Sequence, residues 1–369
     1  MKVFVHIGSH KTGTTAIQHF AAAHRDELSA QGLLYPSFER LGRRPGRSHL
    51  SLVSGLESLG GPNTLTPEEG LAFLQSAREE ARSSAKNVLF SAENIFRLKP
   101  HKRHHLFGVF RETFPDFEIV PVVALRRQDN LADSLYRNTV RSEADLSREP
   151  PTWPGLLVAR MPLFDYSGIV QEAHRMLGGT PEVLAYAGHL RRNTVPEFFE
   201  RLGASVEEPL DAARRVNVSY DFLDCHIKRH LFEAGGTRRL FRVLERFVRT
   251  YPIRSPYSFF SEAAREQLLT AYRAGNSALM ADFPELENAL ADSIPADYPE
   301  AGDSRAAEAV GQRWEDFTSF LRERGVGSQL PPHSRRRDCV ESFRVRQVAE
   351  EAELPLLAYI ASADLAAYG

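Results

Sequence analysis

The chain has few of the features that mark specialised protein classes. It carries only 2 cysteines in 369 residues, Cys225 and Cys339, far apart in sequence. Two such residues exclude a disulfide framework and a cysteine-rich zinc site, and they suit a reducing compartment. No apolar run approaches the roughly twenty residues that span a bilayer. The short apolar stretch after Lys2 is interrupted by His6, which is too brief for a secretory signal. A cytoplasmic location is therefore expected, without stable membrane insertion. Neither sign of charge prevails, since 46 Lys and Arg stand against 48 Asp and Glu for a net charge of −2. The bulk field thus gives no reason to expect nucleic acid or an acidic membrane as partner, and any anion site must be local. Internal repeats and long low-complexity segments are also missing, whereas 42% hydrophobic and 25% charged residues are enough to build an ordinary globular core.

The most informative segment lies at positions 3 to 15. An apolar run, Val3-Phe4-Val5-His6-Ile7, leads directly into Gly8-Ser9-His10-Lys11-Thr12-Gly13-Thr14-Thr15. A strand that turns through glycines into a helix leaves several backbone N–H groups pointing at one spot, and the helix dipole adds positive potential there. The segment reads as a phosphate-binding loop with an altered lysine. In the GxxxxGK[ST] form the lysine follows the second glycine and reaches the terminal phosphates of a nucleoside triphosphate. Here Thr14 holds that place and Lys11 lies inside the loop, so a cradle for phosphate is expected, but not for a Mg-triphosphate. Thr12, Thr14 and Thr15 are expected to add hydroxyl donors.

Beyond the loop, apolar residues at helical spacing predict a helix from about Gly13 to Gln31, closed by Gly32. A short strand, Leu33-Leu34-Tyr35, follows. Residues 39 to 61 read as a loop with one helical turn, where a substrate could enter. A helix over 68–85 precedes the buried strand Asn87 to Ser91, and a further helix leads to the nearly all-apolar strand Phe117 to Leu125. The helix Tyr166 to Leu177 precedes another strand, Glu182 to Tyr186. Apolar strands flanked by helices are the signature of a parallel sheet covered on both faces. The expected fold is a three-layer α/β/α sandwich of the P-loop nucleotide-binding type over residues 1–294. Residues 295–369 are expected to form a linker, Pro295 to Ala307, and a helical C-terminal extension with helices over 313–324 and 339–350.

A second anion site is expected after Leu125. The chain there reads Arg126-Arg127-Gln128-Asp129-Asn130-Leu131-Ala132-Asp133-Ser134-Leu135-Tyr136, with Asp129 as a helix cap. Arg126 then falls at the carboxyl edge of the sheet, where ligands of open α/β sheets bind, and Ser134 falls in the helix behind it. A guanidinium and a hydroxyl can hold a phosphate by charge-assisted hydrogen bonds; Asn138 and Arg141 share the helical face of Ser134. A solvated basic helix start is the plainer alternative.

Taken together, the loop K-T-G-T-T and the strand ending in L-R-R-Q-D, followed by S-L-Y, resemble the sulfotransferase family in its bacterial branch. Leu163-Phe164-Asp165-Tyr166 and Arg215-Val216-Asn217-Val218-Ser219 are similar to stretches in such members. The resemblance covers roughly residues 1 to 290. It implies that the first loop, with Lys11, Thr12, Gly13, Thr14 and Thr15, binds the 5′-phosphosulfate of 3′-phosphoadenosine 5′-phosphosulfate (PAPS). It also implies that Arg126 and Ser134, eight positions apart, bind the 3′-phosphate with help from Arg215 or Arg214. No metal is implied. No apolar strand ends in a bare aspartate placed to hold Mg²⁺, because those at 87–91 and 118–125 lead out through serine and arginine.

The expected activity is transfer of a sulfuryl group from PAPS to a hydroxyl or amine of a small-molecule, lipid or saccharide acceptor by in-line attack. Lys11 is expected to stabilise the departing phosphate. The resemblance offers a glutamate or a histidine as general base, and two candidates stand out: Glu93, in an S-x-E at a strand end, and His49, in Arg47-Ser48-His49-Leu50. Two other readings stay open. An ATP-dependent, kinase-like phosphotransferase would need Lys11 to act from an unusual loop position, and a non-catalytic protein could keep the fold and bind nucleotide only. Other features carry no chemistry. His101, His104 and His105 lie among lysine and arginine without the carboxylate or cysteine spacing of a metal site, and Arg335-Arg336-Arg337 reads as a solvated run.

Overall fold

The computed structural model describes residues 1–9, 12–59, 64–142, 153–158, 160–186, 194–206, 220–290, 304–327, 330–332 and 334–352. Five strands, β1 (Lys2–His6), β2 (Leu33–Leu34), β3 (Asn87–Ser91), β4 (Glu118–Leu125) and β5 (Glu182–Ala185), form one sheet in the order β2-β3-β1-β4-β5. Every pairing is parallel, with Val5 opposite Phe90 on one side and Pro121 on the other. Strands rich in Val, Ile and Phe pair this way when both faces are covered. Pro121 is tolerated within a central strand for a local reason. The Ile119 and Leu125 carbonyls, of the same parity, accept from Gly179 and Tyr186 on the β5 side, so the missing N–H of Pro121 faces that side before β5 begins its ladder at Val122.

The helices, in chain order, are α1 (Thr14–Ala23), α2 (Arg25–Ala30), α3 (Leu50–Leu56), α4 (Pro67–Ser84), α5 (Pro100–Thr113), α6 (Gln128–Ser142), α7 (Trp153–Val158), α8 (Tyr166–Leu177) and α9 (Thr194–Arg201). They are followed by α10 (Phe222–Glu233), α11 (Arg238–Thr250), α12 (Glu262–Asp282), α13 (Glu287–Leu290), α14 (Ser304–Glu323) and α15 (Arg336–Ala352). Local chemistry sets many ends. Thr66 and Glu69 make a reciprocal capping box ahead of Pro67, and the Asp165 side chain accepts from the Gly168 amide at the start of α8. The first predicted helix is two: His24 leaves the helical region at φ −115°, ψ 33° and separates α1 from α2. Its ring stacks on Phe20 and bonds Glu27 at 2.8 Å, an arrangement no periodicity encodes.

Contacts divide the chain into two compact units: residues 1–127, 165–216 and 274–291, and residues 128–164, 217–273 and 292–369. The first unit holds the sheet. β1 connects leftward past β3 to β2, whereas β3 and β4 connect in the opposite direction. Right-handed crossovers therefore place the two sets of helices on opposite faces. The packing follows: Phe4, Leu89, Val120, Val122 and Leu184 share a core with Ile17, Phe20 and Ala21 of α1 and with Phe198 and Phe199 of α9. On the other face Phe90 meets Phe73 of α4 and Phe110 of α5. The outgoing connections diverge between β1 and β4, which is the crevice where open α/β sheets bind ligands.

The second unit is helical. α10 is buried from Phe222 through Leu231 although it carries Asp224, His226, Lys228, Arg229 and His230. Its buried charges have partners, as burial requires: Asp224 accepts from Arg313 at 2.9 Å, and Lys228 donates to the Arg141 carbonyl at 2.7 Å. The Leu240, Leu244 and Phe247 stripe of α11 continues into Phe317 and Phe320 of α14. α14 begins at Ser304, so the predicted linker ends sooner than the sequence suggested. Ala306, Ala307 and Val310 are buried there, and alanine favours helix once its face is covered. Among the described residues no helix is long and apolar enough to cross a membrane.

Candidate functional site at the sheet edge

The loop after β1 has the geometry that its glycines allow. Gly8 at φ 55° and Gly13 at φ 80° both occupy the left-handed region, which glycine enters without steric cost. Gly13 caps α1, its carbonyl accepting from Ala16 at 2.9 Å and Ile17 at 3.2 Å. The amides of Thr14 and Thr15 fall in the first turn, where helix geometry provides no acceptor. Thr12 donates to the Ser9 carbonyl at 2.6 Å, and Thr14 Oγ1 lies 3.5 Å from the same oxygen. These two threonines tie the loop to itself. Thr15 is half-buried.

Glu93 stands at the start of a short 3₁₀ turn after β3 (Glu93–Arg97). Because β3 pairs with β1, it lies directly against the loop: a Cβ placed on Gly8 would be 3.4 Å from both Cα and Cβ of Glu93 and 3.5 Å from Nε2 of His6. His49 is in a different position. It is 1% exposed; its Nε2 donates to the Pro36 carbonyl at 3.1 Å and its Nδ1 accepts from the Ser91 amide at 3.0 Å. Burial pushes its pKa down to about 4. With both nitrogens occupied the ring has no site from which to take a substrate proton, and it acts as a strut between the 36–49 segment and the end of β3.

Ser91, the last residue of β3, is a junction that the sequence did not signal. Its Oγ lies 2.8 Å from Nδ1 of His6 and receives the Gln18 amide at 3.2 Å. His6 is fully buried, with its pKa pushed down to about 3 by burial. Its Nε2, and the buried hydroxyl of Ser9, have no hydrogen-bond partner among the described residues.

Arg126, half-buried, follows β4 as expected. Its guanidinium carbon sits 5.8 Å from the centroid of the Tyr186 ring, and Tyr186 is held at the end of β5 by its amide bond to the Leu125 carbonyl at 2.7 Å. The same ring faces the loop, since a Cβ on Gly13 would be 3.5 Å from Tyr186 Cε2. Tyr186 was read as strand and missed as a site residue; its only sequence signal is its place one residue past an apolar run. Tyr166 steadies the same corner by donating to the Arg126 carbonyl at 2.6 Å. Ser134 lies on α6 in the second unit. Lys11 and Arg215 fall outside the described residues.

Among the described residues, no cluster of three or more His, Cys, Asp or Glu is placed to hold a metal ion. Comparison with known proteins finds no matching family model, no matching curated sequence and no matching solved structure.

Proposed function

We propose that this chain is a PAPS-dependent sulfotransferase of the phosphate-loop, α/β/α sandwich class. One observation carries the reading: the Tyr186 ring borders both Gly13 of the loop and the Arg126 guanidinium. An anion cradle and a cation thereby share one aromatic neighbour at the β1/β4 switch point, an arrangement suited to a nucleotide with phosphates at both ends of its ribose.

The residues present fit that donor. The left-handed glycines expose bare backbone in the loop, the amides of Thr14 and Thr15 point out of the first turn of α1, and Arg126 brings a planar guanidinium suited to phosphate. When bound, PAPS supplies a sulfuryl group carried on a phosphate leaving group. Lys11 provides positive charge at the departing oxygen. Glu93, beside Gly8, accepts the proton of the acceptor hydroxyl or amine; it is the remaining base candidate because His49 has both nitrogens engaged. By the resemblance, Arg215 joins Arg126 on the 3′-phosphate. The acceptor is a small molecule, lipid or saccharide.

A thermal-shift comparison tests the reading, because a ligand that binds only the folded state raises stability with its affinity. Adenosine 3′,5′-bisphosphate should stabilise the protein well beyond adenosine 5′-monophosphate or Mg-ATP. A larger shift with Mg-ATP, together with activity abolished by EDTA, would replace the proposal with phosphoryl transfer. Binding of the bisphosphate without transfer to any acceptor in a broad panel would leave a nucleotide-binding protein.

A further inference from the structure

We propose that the loop grips its anion partly through two neutral side-chain donors, the Nε2–H of His6 and the hydroxyl of Ser9. The proposal rests on the reading of the loop as an anion site but not on the identity of the nucleotide.

A hydrogen-bond chain runs from Gln18 through Ser91 to His6. Gln18 Nε2 donates to Ser91 Oγ at 3.2 Å, so the Ser91 hydroxyl hydrogen is left to point elsewhere. Ser91 is 0% exposed, and a buried hydroxyl hydrogen without an acceptor is costly. His6 Nδ1, 2.8 Å from that oxygen, is the acceptor in reach. A neutral imidazole that accepts at Nδ1 carries its proton on Nε2. The chain Gln18, Ser91, His6 therefore fixes the Nε2–H tautomer, and the burial of His6 keeps the ring uncharged.

That Nε2–H has no acceptor among the described residues, although buried donors are almost always paired. It stands 3.5 Å from where a Cβ on Gly8 would be, so it faces the backbone of the loop. Ser9, the next residue, is 0% exposed and its hydroxyl also has no partner, while its carbonyl is already taken by Thr12. Two orphaned groups thus flank Gly8 within one anion-binding turn. Each lacks an acceptor, which a tetrahedral oxyanion, phosphate or phosphosulfate, supplies through its several oxygens. Donors without charge add affinity without the desolvation cost of a second buried cation.

The test uses isothermal titration of the full chain with inorganic pyrophosphate and, separately, with adenosine 3′,5′-bisphosphate. Glutamine places an amide N–H where imidazole has Nε2–H, whereas asparagine places one nearer Nδ1. His6→Gln should bind pyrophosphate within about threefold of the unsubstituted protein, and His6→Asn and Ser9→Ala should each lose about tenfold. Equal losses in His6→Gln and His6→Asn would overturn the proposal by assigning His6 a packing role, as would unchanged binding in both His6→Asn and Ser9→Ala. Nitrogen-15 NMR of the His6 ring keeps the proposal testable if a His6 variant fails to fold: an Nδ1–H tautomer would overturn it, and an Nε2–H resonance that shifts on adding pyrophosphate would support it. Binding of pyrophosphate but not of the bisphosphate would reject the PAPS reading and leave the two-donor claim standing. Binding of neither would reject both.

Discussion

The Arg126 guanidinium lies over the ring of Tyr186, 5.8 Å from its centroid, and the same ring borders Gly13 of the loop after β1. The separation is within the range of a cation–π contact. Arg126→Ala is expected to weaken binding of adenosine 3′,5′-bisphosphate by about 10- to 100-fold, the worth of a charge-assisted hydrogen bond. Affinity for adenosine 5′-monophosphate should stay nearly unchanged. Calorimetric titration of both ligands checks this, and equal losses would mean that Arg126 does not read the 3′-phosphate.

Gly13→Ala should lower both stability and ligand affinity. Its backbone, at φ 80°, penalises a side chain by about 1–2 kcal/mol, while the new Cβ would meet Tyr186 at 3.5 Å and Thr194 at 3.6 Å in ordinary van der Waals contact, so the cost is conformational. Urea unfolding reads the stability loss. An alanine variant as stable as the parent would show that the loop relaxes out of the left-handed conformation.

Glu93→Gln should separate chemistry from binding. The amide keeps the size of the side chain beside Gly8 but cannot take a proton, so turnover with a reactive acceptor should fall by about 100-fold or more while bisphosphate affinity holds. Full turnover in this variant would remove Glu93 from the role of base.

Lys11→Ala is expected to lower turnover by about 100-fold or more, as loss of one group stabilising a developing charge does. Retained turnover would place the charge stabilisation elsewhere.

Acid should unfold the protein by way of its buried histidines. Burial holds the His49 pKa at about 4 and the His6 pKa at about 3, against an ordinary 6.5. Below pH 6.5 the unfolded chain therefore binds protons that the folded chain refuses, and stability falls with falling pH. The contribution is complete above pH 6.5 and is lost progressively as pH drops toward 4, on the order of 3 kcal/mol per ring. Urea unfolding at pH 7.5, 6 and 5 measures the slope, which should flatten in His49→Gln. An unchanged slope in that variant would assign the acid sensitivity to other groups.

The strands at 2–6, 87–91 and 118–125 and the helix at 166–177 were evident from sequence because their signals are short-range: apolar runs for doubly covered strands and apolar spacing for the helix. The glycines of the loop were equally evident. His49 was not, because the groups that occupy its ring come from Pro36 and from Ser91, 13 and 42 positions away. Tyr186 was missed for the same reason, and the break at His24 depends on a ring stack and a hydrogen bond that no apolar period reveals.

By itself, the order of residues determined a strand, a glycine turn and a helix start at positions 2 to 15, and a parallel α/β sheet beyond them. Those outcomes follow from backbone freedom and side-chain polarity within a few residues. Tertiary structure alone decided the strand order β2-β3-β1-β4-β5, and with it the meeting of Gly8 with Glu93 and of Tyr186 with both Gly13 and Arg126. Strand order is settled by which buried faces and backbone ladders close best across the whole unit, a competition among distant segments that no local pattern records.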